Sequence, residues 1–154
     1  MIRPRVTAAI LQFEKDTVMQ EKKGFKVRMF VNGQALAGGS INFALEGATF
    51  LGPVNTAAKY RFYAVRDEFP GLVPTQEGAA KIPGELYELS YAQLRESLLP
   101  NEPEELELMV IELEDGSGSL SMRLRESAIS LPAVVDITAS GGWLAYQESR
   151  QQKR

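Results

Sequence analysis

No cysteine and no histidine occur among the 154 residues. Without cysteine there is no disulfide, no thiolate nucleophile and no cysteine-ligated zinc. Without histidine every Ser–His or Cys–His constellation is excluded, along with the usual imidazole metal ligands. Chemistry near neutral pH is left to carboxylates, lysine, tyrosine or backbone dipoles, and neither a cofactor nor a metal is expected. No apolar run approaches the ~18 residues of a membrane span. The apolar stretch from Ala8 to Leu11 is too short for a signal-peptide core and is followed by charge. A concentrated basic face is missing as well. The net charge is −3, and acidic residues lie between some of the cations Arg3, Arg5, Lys22, Lys23, Lys26 and Arg28, which argues against a nucleic-acid partner. These exclusions predict a cytoplasmic chain that binds neither membrane nor nucleic acid.

What is present suits one globular domain. Apolar residues make up 44% of the chain and charged residues 24%, and this length can bury a sizeable core. Residues 1–24 read as a charged leader with Val6, Ala9, Ile10 and Phe13 on one helical face, suited to packing or dimerisation. The domain is expected over residues 25–150, with a short tail at 151–154. Strands are predicted at Phe25–Val31, Ala48–Leu51, Lys59–Val65, Gly84–Leu89, Leu106–Leu113 and Leu120–Leu124, with brief extended pieces at Leu72-Val73 and Pro132–Ile137. Pro70-Gly71 signals a reversal, and Asp115-Gly116-Ser117-Gly118 a hairpin. In the strand after that hairpin, Leu120, Met122 and Leu124 are expected to face in, with Ser121 and Arg123 facing out. Ser90, with Gln93 three residues on, opens a helix that Pro100 ends near Leu99. Asp136 or Thr138 can cap a last helix through Trp143 to about Arg150. The elements do not alternate regularly between strand and helix. The expected class is therefore α+β, with a mixed, mostly antiparallel sheet curled into a small barrel and two or three helices.

The centre of interest is Met29 to Asn42, where a strand breaks at Asn32-Gly33 into a loop holding Gly33, Gly38 and Gly39. A strand that ends in such a loop can aim several N–H groups at one anionic or carbonyl oxygen, although an ordinary glycine-rich connection gives the same pattern. Glu85 and Tyr87 alternate on one predicted strand. Either they share a cavity, where shielding would raise the carboxyl pKa, or they lie on a solvated face. Arg61 and Tyr63 share a strand face suited to gripping a small carboxylate or carbamate, or to simple stacking at the surface. Gly141-Gly142-Trp143 offers free N–H donors at a helix start, or close packing with Trp143 as a core anchor.

Phe30-Val31-Asn32-Gly33-Gln34-Ala35-Leu36 followed by Asn42 resembles the opening strand and loop of the C-terminal domain of allophanate hydrolases, within the wider gamma-glutamylcyclotransferase-like group. Tyr60–Val65, Pro70–Val73, Gly84–Leu89, Glu112–Gly116 and Asp136–Tyr146 follow in matching order, so the resemblance covers roughly Lys26 to Tyr146. It implies a compact mixed barrel with a pocket at the first strand–loop junction. Backbone donors at Gly33, Gln34, Ala35 and Leu36 would hold an acyl or carboxylate oxygen. Asn32 stands where cyclotransferases carry tyrosine, and Glu102 is the carboxylate nearest the place of their glutamate. Ala35 stands where the allophanate hydrolase domain carries an implicated histidine. The implied ligand is a small carboxylate, carbamate or gamma-glutamyl-like amide. The matched positions Asn32, Gly33, Gln34, Ala35, Leu36 and Asn42, together with Arg61, Tyr63 and Tyr87 from the strand pattern, are expected to bind it, with Glu85 from that pattern or Glu102 from the resemblance as acid–base. Lyase, hydrolase or cyclotransferase-like chemistry in nitrogen metabolism follows from that resemblance. A non-catalytic binding or assembly module on the same fold is the alternative, partnered by a second copy or by an amidase protein.

Overall fold

In the computed structural model the described residues are 8–12 and 24–153. Residues 8–12 form a short helical stretch in which Ile10 and Leu11 are exposed. Val6 and Phe13, the other half of the expected leader face, lie outside the described residues. The fold is α+β. Strands β1 (Lys26–Val31), β2 (Thr49–Asn55), β3 (Tyr60–Val65), β4 (Phe69–Pro74), β5 (Pro83–Ser90), β6 (Leu106–Glu112), β7 (Gly118–Leu124) and β8 (Val134–Asp136) build one mixed sheet. Its order is β2-β5-β1-β7-β4-β3-β8, with β6 paired to β7.

Strand β7 organises this sheet. Its pairing with β6 is antiparallel and runs from Leu106–Leu124 to Glu112–Gly118. Two strands share its other edge, both parallel: β1 meets it at Met29–Leu120 and β4 at Leu72–Arg123. One strand thus leaves the edge where the next arrives. The sheet curls further because residues past β2 reach residues past β6: Thr56 bridges Leu113, and the Ala57 N–H donates to the Glu112 carbonyl at 2.9 Å. The main core includes Phe30, Phe62, Leu86, Leu98, Ile111 and Trp143. A smaller cluster of Val65, Phe69, Leu106, Leu124 and Ala128 fills the far side of β4 and β7. Burying each large side chain contributes about 1.5–3 kcal/mol.

Several elements differ from expectation, each for a local reason. The expected short strand before Gly52-Pro53 continues through both residues to Asn55, because β2 is an edge strand. Gly52 takes φ +119° at a bulge, and Pro53 needs no ladder donor on the open side. The reversal before β4 is made by Arg66 and Asp67, both left-handed at φ 49° and 58°, so Pro70-Gly71 lies inside the strand. Gly71 belongs there: a Cβ would stand 2.9 Å from Leu106 Cδ2 and from Leu124 Cβ. On β7 Leu124 is buried as expected, and Leu120 and Met122 pack half-buried against the core clusters, but Ser119 and Ser121, which alternate with them, are buried as well. The buried Ser121 hydroxyl donates to the Phe30 carbonyl at 2.9 Å.

The helices are short. Ser90 Oγ accepts the Gln93 N–H at 3.0 Å and opens α1 (Tyr91–Gln93). This helix continues as a π-helical turn, Leu94–Leu98, and a 3₁₀ turn, Leu99–Asn101, which seats Pro100 in its first turn. Gln93 does not complete a capping box; its amide donates to the carbonyls of Ala44 and Glu46. Helix α2 is Glu126–Ile129 and α3 is Trp143–Gln152. Asp136 Oδ1 accepts from the Thr138 N–H and hydroxyl, and so braces the 3₁₀ turn Thr138–Ser140 rather than the last helix. No helix among the described residues is long and apolar enough to cross a membrane.

Candidate functional site

Where β1 leaves β7 and β4 arrives, a cavity opens. Its walls come from the end of β1 and the following loop (Met29 to Ala35), from Phe69 and Pro70 of β4, from Leu106, from Ser121 and Met122 of β7, and from Glu102. The enclosed space is about 20 Å³, room for one water-sized group. The strand break that creates it is tight, since a Cβ on Gly33 would stand 2.3 Å from Pro70 Cδ. Only glycine lets the chain turn out of β1 against that ring.

Three features of this cavity bear on chemistry. Asn32 is 9% exposed, and its Nδ2 is buried with no hydrogen-bond partner among the described residues. A buried amide donor without a partner costs about 1–3 kcal/mol, a cost that a bound acceptor would remove. The N–H groups of Gly33, Gln34 and Ala35 likewise make no hydrogen bond among the described residues. Leu36 differs from the expected donor set, because its N–H is already given to the Gly33 carbonyl at 3.1 Å. Glu102 follows the 3₁₀ turn, its own N–H held by the Leu99 carbonyl at 3.1 Å. The residue is half-buried, but its carboxyl lies among enough protein atoms that desolvation pushes its pKa up to about 7. A carboxyl poised there can give or take a proton near neutral pH.

The loop beyond Ala35 is held from β5. Glu85 Oε1 accepts the Ala37 N–H at 2.8 Å and the Tyr87 hydroxyl at 3.2 Å. Asn42 Nδ2 donates to the Ala35 carbonyl at 2.8 Å and to the Tyr87 oxygen at 3.4 Å. Burial, opposed by the Asn42 amide and assisted by the Glu85 carboxylate, holds the Tyr87 phenol above its ordinary pKa. Tyr87 therefore stays protonated and donates. Glu85, Tyr87 and Asn42 thus stand together behind the loop, with Glu85 outside the lining of the cavity that holds Glu102.

Arg61 and Tyr63 share a face of β3 but stand elsewhere. The Arg61 Nε donates to the Glu77 carbonyl at 2.9 Å, and Tyr63 packs on the smaller cluster. Their neighbour Tyr60 is buried, and its hydroxyl accepts the Glu112 N–H at 2.8 Å. Gly142 packs on Pro83 and precedes the buried Trp143, while Gly141, Gly142 and Trp143 line a separate groove with Glu85, Leu36 and Leu144. Phe69, Pro70, Ser121 and Met122 were not among the expected site residues. They reach the cavity through strand pairing across the fold, which no local pattern reveals. Among the described residues no three acidic side chains gather at metal-binding distance.

Comparison with known proteins agrees with this architecture. Residues 27–148 match the family model described as the allophanate hydrolase C-terminal domain. The urea amidolyase of Saccharomyces cerevisiae is 29% identical over 133 residues, which is 82% of this chain and 7% of that protein. The crystal structure of Kluyveromyces lactis urea amidolyase superposes with a TM-score of 0.76 at 30% identity, over 81% of this chain and 8% of that one. A uropathogenic E. coli-specific protein gives a TM-score of 0.75 at 28% identity, over 80% of this chain and 97% of that one. A gamma-glutamyl cyclotransferase shares the fold alone, at 11% identity and a TM-score of 0.54. The chain thus spans less than a tenth of the urea amidolyases it matches. From residue 27 to residue 148, this chain belongs to the allophanate hydrolase C-terminal domain family.

Proposed function

We propose that this domain binds a compact carboxylate, carbamate or gamma-glutamyl-like amide at the junction of β1 and its glycine loop, with Glu102 as the acid–base group for any turnover. The observation that supports this reading is the unpartnered, buried Asn32 amide in the same cavity as the raised Glu102 carboxyl. Asn32 Nδ2 and the N–H groups of Gly33, Gln34 and Ala35 supply donors for one oxygen-rich head group, and the neutral form of Glu102 supplies a proton. With room for one water-sized group, the cavity takes a single oxygen or carbonyl and leaves the rest of the ligand outside. Of the two carboxylates marked by the sequence, Glu102 is the better acid–base candidate, because Glu85 is engaged by Ala37 and Tyr87.

A second reading is favoured by one substitution. Ala35 occupies the place of the family's implicated histidine and no other histidine exists, which supports a binding module that serves an amidase protein. The relatives named above are much larger chains, and a second polypeptide could carry the remaining chemistry of nitrogen metabolism.

Thermal unfolding against malonate, biuret, allophanate, 5-oxoproline and gamma-glutamyl amino acids tests both. A ligand at ~100 times its dissociation constant adds about 2.7 kcal/mol. The enzyme reading expects a shift together with turnover that Glu102→Gln abolishes. The module reading expects a shift without turnover. No shift with any compound would sink the pocket assignment itself.

A further inference from the structure

Glu85 carries the mark of a catalytic carboxylate in the sequence, yet its surroundings point to another task. It lies on β5 opposite Val31, the last residue of β1, so it stands where the glycine loop departs. One of its oxygens receives both the Ala37 N–H and the Tyr87 hydroxyl. Tyr87, two residues along the same strand face, meets the Asn42 amide, whose donor also holds the Ala35 carbonyl. Residues 35, 37 and 42 are thereby tied to one strand by three side chains. Within the loop, the Leu36, Gly39, Ile41 and Asn42 N–H groups are taken by the Gly33, Leu36, Gln34 and Gly39 carbonyls respectively. With Ala37 given to Glu85, the loop residues that line the cavity and whose N–H groups lack a partner among the described residues are Gly33, Gln34 and Ala35.

We infer that Glu85 is a positioning residue: its carboxylate latches Ala37, and with Tyr87 and Asn42 it holds the loop so that the Gly33, Gln34 and Ala35 N–H groups stay available at the cavity. The physical reason is preorganisation. Donors aimed in advance at a developing or bound negative charge need no reorganisation when the ligand arrives, and site geometry of this kind depends on the side chains that support it. A loop released from its latch can satisfy its own donors by closing further turns, which removes them from the ligand. Glutamate suits this post because a charged acceptor forms the stronger hydrogen bond to a backbone N–H. This inference rests on the reading of the cavity as a ligand site, but the latch itself can be observed without any ligand.

The experiment uses the full chain as wild type, Glu85→Ala and Glu85→Gln, followed by amide hydrogen exchange resolved by NMR, with malonate as the probe for binding. In wild type, Ala37 is expected to exchange slowly although it lies in an exposed loop. Glu85→Ala should speed Ala37 exchange at least 10-fold and move the amide resonances of residues 33–36, while exchange at Met29, Phe30 and Leu89 stays within 2-fold. Glu85→Gln keeps an oxygen acceptor of the same shape and should recover most of the Ala37 protection. If malonate binds the wild type, Glu85→Ala should weaken it at least 10-fold and Glu85→Gln by less. Failure of malonate to bind the wild type counts against the ligand site and not against the latch, which the exchange pattern decides. Unchanged Ala37 exchange in Glu85→Ala overturns the inference. So does acceleration spread evenly through β1 and β5, which marks general destabilisation. Loss of turnover in Glu85→Gln with wild-type loop exchange would instead make Glu85 the catalytic group.

Discussion

Glu102 couples the candidate site to the stability of the whole domain. Burial raises its folded-state pKa to about 7, against 4.5 for the free side chain. Between those values the folded state binds a proton that the unfolded state has lost. Stability therefore falls as pH rises through this window and levels off once the folded group is itself ionised. Screening by solvent at this half-buried position reduces the effect to about 1–2 kcal/mol. Denaturant melts of wild type and Glu102→Gln from pH 5 to pH 8 should diverge, with the glutamine variant gaining relative stability as pH rises; parallel profiles would place the carboxyl in water. At Gly33 the argument is steric. Its φ lies outside the left-handed region, so the conflict in Gly33→Ala is the Cβ against Pro70. Overpacking of this kind costs about 1–3 kcal/mol. The midpoint of urea unfolding should fall accordingly, and equal stability would mean that Pro70 yields freely.

Among the elements, the β3–β4 turn and α3 support each other. Arg66 and Asp67 both sit at positive φ, a conformation that costs non-glycine residues about 1–2 kcal/mol each. Several contacts offset it. Arg66 pairs with Glu105 at 2.5 Å and Glu68 at 3.3 Å, and Asp67 accepts from the Tyr146 hydroxyl and pairs with Arg150 at 3.3 Å. Helix α3 has no side-chain cap, so Tyr146 and Arg150 anchor it to the turn. Tyr146→Phe should destabilise the domain by about 0.5–1.5 kcal/mol and raise amide exchange in residues 143–152 more than in β5; an unchanged helix would show that Trp143 packing suffices. Ser90→Ala tests a simpler local rule. Loss of its hydrogen bond to Gln93 should cost about 1 kcal/mol, read as a lower urea midpoint at unchanged slope.

At the scale of the whole molecule, the two apolar clusters are not separate units, since Met122 packs against both and β7 runs between them. Unfolding should therefore be one cooperative transition. Fluorescence of Trp143, the single tryptophan, reports the main cluster, while far-ultraviolet dichroism reports the sheet as a whole. The two denaturation curves should superimpose, and separated midpoints would mean that the β3–β4–β8 wing unfolds by itself. The cavity has its origin at this same scale. It exists because β1 and β4 divide one edge of β7 between them, so its walls are drawn from segments far apart in the chain.

Much of this architecture was legible in the residues. Runs of β-compatible residues marked β1, β3, β5 and β6, Asp115-Gly116 marked the β6–β7 turn, and Ser90 marked the start of α1. These signals depend on backbone preferences and spacing that act within a few residues. The break at Asn32-Gly33 and the family resemblance likewise marked the loop whose first residues line the cavity. Other features follow from pairing across the chain. Ser119 and Ser121 are buried although they alternate with Leu120, Met122 and Leu124, because both faces of β7 are covered by the rest of the fold. Pro70 lies in a strand because a neighbouring turn bends the chain first. Glu85 and Glu102 were equivalent as acidic residues in a string of letters. Only the tertiary structure separated them, placing one carboxylate where backbone and phenol donors engage it and the other where protein atoms replace part of its water, and desolvation and hydrogen bonding depend on neighbours that sequence order does not specify.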